Sequence, residues 1–219
     1  MAHVALLAGV LAGCAEGADE EDKASAKTST GASATAAAGG TRAVAPSGGR
    51  IGAEGSACEL PVSFDIAQGW KAEAVDAEAA SGDLDDEVAA EVADALLHQG
   101  PVTAACEVDA KPAGYFGYLR VWTGEPGEDS ARTVLEGFVA AEKQASKATY
   151  STFRTGDLVG AEVEYLYTSE LLDETKKEHA LAVTTPEGPV VLHLGGMDTE
   201  EHEAMLPALE LAERTLRVG

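Results

Sequence analysis

Four residues with the chemistry of metal ligands stand in one short stretch, His193, Asp198, Glu201 and His202, in the run H-L-G-G-M-D-T-E-E-H. Histidine nitrogens and carboxylates at such spacing suit a divalent cation. A strand end followed by a capped helix start accounts for the same residues without one. Asp83, Asp85, Asp86 and Glu87 form a second acidic cluster. They lack the glycine and closing glutamate of a calcium loop, and an acidic first turn at the positive end of a helix explains them. Glu162 and Glu164 alternate with Val163 and Tyr165, which reads as the solvated side of a strand. The sequence holds no serine nucleophile elbow, phosphate-binding loop or paired-cysteine zinc motif. We therefore expect no catalytic residue, no metal site and no cofactor. Trp70, Trp122 and Tyr118, with Phe116 nearby, are the candidates for a pocket or partner surface, although aromatic residues in strands also serve the core.

The cysteines carry more. Cys14 follows Leu11-Ala12-Gly13, directly after the apolar run Val4–Ala12. That run is too short to span a bilayer, which takes about 20 helical residues, so it reads as a signal-peptide core. Leu-Ala-Gly-Cys resembles the bacterial lipobox, and the resemblance implies a diacylglyceryl group on the Cys14 thiol, with two or more acyl chains for durable attachment. No Lys or Arg precedes the apolar run, only His3, and we expect translation to begin upstream of Met1. Cys58 and Cys106 remain as an even pair. In an exported chain a disulfide is their default state, with a free thiol or a metal pair as the alternatives.

Acidic residues outnumber basic ones 38 to 15, for a formal charge of −23. Such a field repels phosphate backbones and anionic headgroups, so nucleic acid is excluded as a partner and any membrane attachment needs something other than a basic patch. Of the 43 residues from Ala15 to Ala57, 30 are Ala, Gly, Ser or Thr and none is aromatic. They bury too little apolar surface to offset ordering entropy, and a disordered tether is expected. The division is thus a signal peptide over 1–13, a lipidated cysteine and tether over 14–57, and one domain over 58–219.

Within that domain, Val62, Phe64 and Ile66 alternate with polar residues, and a second strand follows Gly69-Trp70 through Val75. Leu84, Val88, Val92 and Leu96 predict a helix over 84–98, ended by Gly100-Pro101. Strands are expected over 103–109 and 115–123, a helix over 130–146, then strands over 149–154, 158–170, 179–185 and 189–195. A last helix over 199–216 opens with Asp198 and Glu201 as a capping box and buries Leu206, Leu209, Ala212 and Leu216. The joins between strands are too short for parallel crossovers, so the fold class is α+β, an antiparallel sheet flanked by helices.

The order of elements, from Val62-Ser63-Phe64 and Gly69-Trp70 to Val190-Val191-Leu192-His193 and Arg214-Thr215-Leu216, resembles the PsbP/Mog1p-like domains. Among them it looks most like actinobacterial cell-envelope lipoproteins of the LpqN type. The extra helix over 84–98 departs from that pattern. The resemblance implies an α/β/α sandwich and a binding or scaffolding role without catalysis, and it hands over no active-site residue.

The expectation is a lipoprotein at the outer face of the cell membrane, held to the bilayer through acylated Cys14. Its non-catalytic domain would bind an envelope protein or a small apolar ligand. A cell-envelope hydrolase without recognisable motifs and an acidic metal-binding lipoprotein are the alternatives.

Overall fold

The run Gly188–Gly196 is buried at every position, which only a central strand covered on both faces allows. In the computed structural model, which describes residues 43–76, Val88 and 97–219, this strand is the middle of an eight-stranded antiparallel sheet. In chain order the strands are β1 (Ser47–Ile51), β2 (Val62–Ala67), β3 (Lys71–Ala74), β4 (His98–Gln99), β5 (Val102–Asp109) and β6 (Gly117–Thr123). After helix α1 (Ala131–Ala140) come β7 (Ala145–Thr155), β8 (Leu158–Ser169), β9 (Glu174–Thr185) and β10 (Gly188–Gly196). Helix α2 (Thr199–Thr215) and β11 (Arg217–Val218) close the chain. The large sheet runs β3-β5-β6-β10-β9-β8-β7, with β4 also on β5, and a small sheet runs β1-β2-β11.

Period-two alternation splits the core into two layers. Val190, Leu192 and Leu194 of β10, with Leu181 and Val183 of β9, point to a layer closed by α2 and by Val62, Phe64 and Ile66 of the small sheet. Val191, Ala180 and Ala182 point the other way, to a layer closed by Val134, Leu135, Phe138 and Val139 of α1. Ser130 caps α1 by accepting from the Thr133 N–H at 3.1 Å. Asp198 caps α2 by accepting from the Glu201 N–H at 2.8 Å.

Several boundaries differ from expectation. The domain begins well before Cys58, because β1 pairs with β2 from Ser47↔Ala67 to Ile51↔Phe64 and Ala45 N–H donates to Pro207 O. Its S-G-G-R-I sequence shows no apolar alternation because β1 lies at an exposed edge and is held through its backbone. Helix α1 stops at Ala140 rather than Ser146, and β7 takes over from Ala145. Pairing with β8 and a register shift between Ser146 and Thr149, where Lys147 adopts φ 55°, override the helix propensity of A-E-K-Q-A. The small sheet replaces part of the helical cover that an α/β/α sandwich would supply. The helix expected over 84–98 lies outside the described residues except at helical Val88 and Leu97, while His98 opens β4. Cys58 and Cys106 are joined in a disulfide, with Cα atoms 5.9 Å apart.

Candidate functional site

The two histidines that sequence spacing brings together end on opposite faces of the sheet. His193 continues the Val191 row toward α1, packing edge-on to Phe138 with ring centroids 5.4 Å apart. His202 lies in α2, on the other side, fully buried. The chain bends at Met197 and Asp198 between the end of β10 and the start of α2, so Asp198 and Glu201 serve the helix start. Glu201 does not fold back to close a capping box; its carboxylate accepts from the Phe116 N–H at 3.2 Å.

On the α1 face, strand register assembles a polar chain that the sequence does not announce. Tyr165 stands opposite Glu178 in the β8–β9 pairing. The Tyr165 hydroxyl donates to Glu142 at 2.8 Å and lies 3.2 Å from His193 Nε2. The same Nε2 lies 3.1 Å from Glu178 Oε2, so it carries the proton and donates to that carboxylate. Lys176 Nζ pairs with Glu178 Oε1 at 2.8 Å and donates to Gly196 O at 2.6 Å. Burial pushes the Glu178 carboxyl up, but the hydrogen bond and charge of His193 and the Lys176 ammonium outweigh it and hold the group below its usual range. Burial raises the Tyr165 phenol well above its ordinary value, and the Glu142 and Glu178 charges add to that. Every member has a partner. Among the described residues, the partners of His193 Nε2 are Tyr165 and Glu178.

The network surfaces at one end of the sheet. There Lys176, Tyr118 and Gly196 line a cleft of about 400 Å³ whose lips are Phe116, Leu172 and Met197. Tyr118 lies flat over β10 because Gly195 opposite it has no side chain; a Cβ there would stand 3.0 Å from the Tyr118 ring. The Arg120 guanidinium covers Tyr118 at 4.6 Å and Trp122 at 5.6 Å while pairing with Glu107.

The sequence-selected aromatics therefore separate. Tyr118 faces this cleft. Trp122 is core beneath α1, edge-on to Phe138, and its buried Nε1–H has no partner among the described residues. Trp70 is buried in the other layer, where it walls a cavity of about 300 Å³ with Tyr115, Met205 and Pro46. Phe116 is exposed at the cleft lip.

On the α2 face, Glu162 is not the solvated residue that alternation suggests. Its carboxylate lies 3.2 Å from His179 Nε2, and His179 Nδ1 lies 3.5 Å from His202 Nε2. With Nε2–H of His179 donating to Glu162, its Nδ1 can accept from Nε2–H of His202, an arrangement that leaves His202 Nδ1 unprotonated. That last nitrogen is buried without a partner among the described residues. Burial accordingly pushes the His202 pKa down to about 4. Glu164 lies at the far side of the His179 ring, 3.9 Å from Nδ1, and is half exposed. Among the described residues no group of three or more His, Cys, Asp or Glu side chains is arranged to hold a metal ion. The acidic run Asp83–Glu87 and Cys14 lie outside the described residues. No described helix is long and apolar enough to cross a membrane.

A family model described as "Uncharacterised lipoprotein" matches residues 26–216. No curated protein matches the chain. The solution structure of cyanobacterial PsbP (CyanoP) from Synechocystis sp. PCC 6803 is similar at 14% identity and a TM-score of 0.49, covering 78% of this chain and 92% of that one.

Proposed function

The chain belongs to this lipoprotein family, and from that membership we propose a lipid-anchored, non-catalytic binding or accessory domain acting at the outer face of the cell membrane. Cys14 carries the acyl chains, and Ala15 to the first described residues form the spacer. The domain presents the cleft at the Phe116 end of the sheet to an envelope protein or a small apolar ligand.

One observation carries the binding reading. The cleft has apolar lips at Phe116, Leu172 and Met197, and the ionisable groups behind it are spent on one another along Tyr165, His193, Glu178 and Lys176. A binding site needs apolar area with a few fixed polar groups, whereas an acyl-transfer site needs a free base beside a nucleophile.

Mass spectrometry of the mature protein, with fractionation of cells expressing wild type or Cys14→Ser, tests the anchor. Wild type should sediment with membranes bearing an acylated residue 14, and Cys14→Ser should leave the membrane fraction. An unacylated Cys14, or cytosolic material with its leader uncut, overturns it.

A further inference from the structure

Three separate turns place large apolar side chains in solvent at one end of the sheet. Phe116 precedes β6 and is 55% exposed, Met197 follows β10 at 61%, and Leu171 and Leu172 cap the β8–β9 hairpin at 93% and 65%. Antiparallel order brings the start of β6 and the end of β10 side by side, with the β8–β9 hairpin on the far side of β10. The Met197 N–H donates to Phe116 O at 2.9 Å, so two of the turns are locked to each other. Single exposed apolar residues are ordinary, but a contiguous set around a cleft marks an interaction surface.

Charge selects the occupant. Leu171 and Leu172 sit between Glu170 and the pair Asp173, Glu174, and Asp109 lines the cleft beyond them. The cations at this end are mostly committed, Arg120 to Glu107 and Lys176 to Glu178, leaving Lys111. A second copy of a chain with net charge −23 would set acid against acid. An anionic bilayer would do the same. A segment with an apolar face and basic flanks has the opposite sign.

We infer that the Phe116, Leu171, Leu172 and Met197 end is a docking surface for a basic amphipathic segment of a partner protein, seated with its apolar side chains in the cleft and its Lys or Arg residues against Asp109, Glu170, Asp173 and Glu174. This rests on the binding reading above and is independent of the anchor. Helix-in-groove recognition supplies the physics: apolar anchors carry affinity and the charged rim sets orientation.

The test uses the full mature chain carrying Cys14→Ser and a fluorescent amphipathic Leu/Lys peptide of about 14 residues, roughly four helical turns. Anisotropy is read in about 0.15 M NaCl, where long-range attraction is screened. The peptide should bind, and a Leu/Lys peptide of equal composition in non-amphipathic order should bind far less. Leu171→Asp/Leu172→Asp should weaken binding about tenfold or more, since two leucine anchors are lost. That variant adds negative charge, so a contact made by charge alone would hold the peptide as tightly or more so. Equal binding by wild type and variant, or no binding, overturns the inference. So does flotation of the chain with phosphatidylglycerol vesicles, or a dimer abolished by the same variant, in place of peptide binding. Both leucines are exposed at a hairpin tip, and an unchanged melting curve shows that the variant folds. Acylation of Cys14 is read separately, so the anchor can hold while this surface fails, or the reverse.

Discussion

His202 is a histidine held neutral by its surroundings, and that makes it a pH-dependent liability. Its pKa in the fold is about 4 against an ordinary 6.5, with burial the leading cause. Below pH 6.5 the unfolded chain takes up a proton that the folded chain refuses until about pH 4. The stabilisation from keeping this ring neutral is thus complete above pH 6.5 and is lost as pH falls toward 4. At about 1.4 kcal/mol per unit the loss amounts to about 3 kcal/mol. Urea unfolding at pH 7 and pH 5 should show about 2 kcal/mol of this fall, since pH 5 lies about 1.5 units below the unfolded value, and His202→Leu should flatten its slope; an unchanged slope would assign the acid sensitivity elsewhere. On the opposite face, Glu178→Gln keeps the shape but removes the charge that Lys176 and His193 both face. Stripping one partner from a buried pair leaves the other uncompensated, so a loss of about 2 to 4 kcal/mol is expected in the same urea assay. Neither chain of residues was legible beforehand. His193 and His202 are neighbours in sequence but not in space, and Glu178 meets Tyr165 only through a strand register that no local pattern encodes.

Elements were legible wherever one face alone is buried. The alternation in β2 and the apolar stripes of α1 and α2 state their own periods; the spans of β2 and α2 fall close to expectation, while α1 ends early, at Ala140. What failed are elements held from outside. Strand β1 owes its conformation to backbone bonds with β2, and the start of β7 owes its conformation to β8. Their own side chains carry no signal. Pro207 lies inside α2, and its own carbonyl accepts from the Ala45 N–H. Two predictions belong at this scale. Phe138 is the residue through which α1 grips the sheet, touching Trp122 and His193 from full burial. Phe138→Ala should cost about 3 to 5 kcal/mol, read from the denaturation midpoint, and a loss under about 1 kcal/mol would mean that α1 contributes little. The disulfide spans 48 residues and ties β5 to the segment between β1 and β2. Reducing it should lower stability by about 4 kcal/mol on the chain-entropy account, and a Cys58→Ala/Cys106→Ala double variant should reproduce that loss without reductant.

At the scale of the whole molecule the acid excess is the dominant fact, and it works against the fold. The chain holds 38 acidic side chains against 15 basic ones, and folding brings those in the described domain closer together than in the extended chain. Only some are relieved by pairs such as Arg50 with Asp65 or Lys177 with Glu203. Screening should therefore stabilise: raising NaCl from about 0.02 to about 0.3 M shortens the Debye length from about 20 Å to about 6 Å, and the urea midpoint should rise. A fall would mean that paired charges outweigh repelling ones. The same experiment separates screening from a built cation site. With NaCl held at about 0.3 M, adding about 1 mM Ca²⁺ or Zn²⁺ leaves the ionic strength almost unchanged, so screening predicts no further shift. A site of about 10 μM affinity would add about 2.7 kcal/mol under the same conditions, because a ligand that binds only the folded state stabilises by RT ln(1 + [L]/Kd). The dispersed acids on the described surface, and a His179 ring whose nitrogens are engaged with Glu162 and His202, argue for no shift. A clear rise with either ion would move the acidic surface from a solubility device to a binding one.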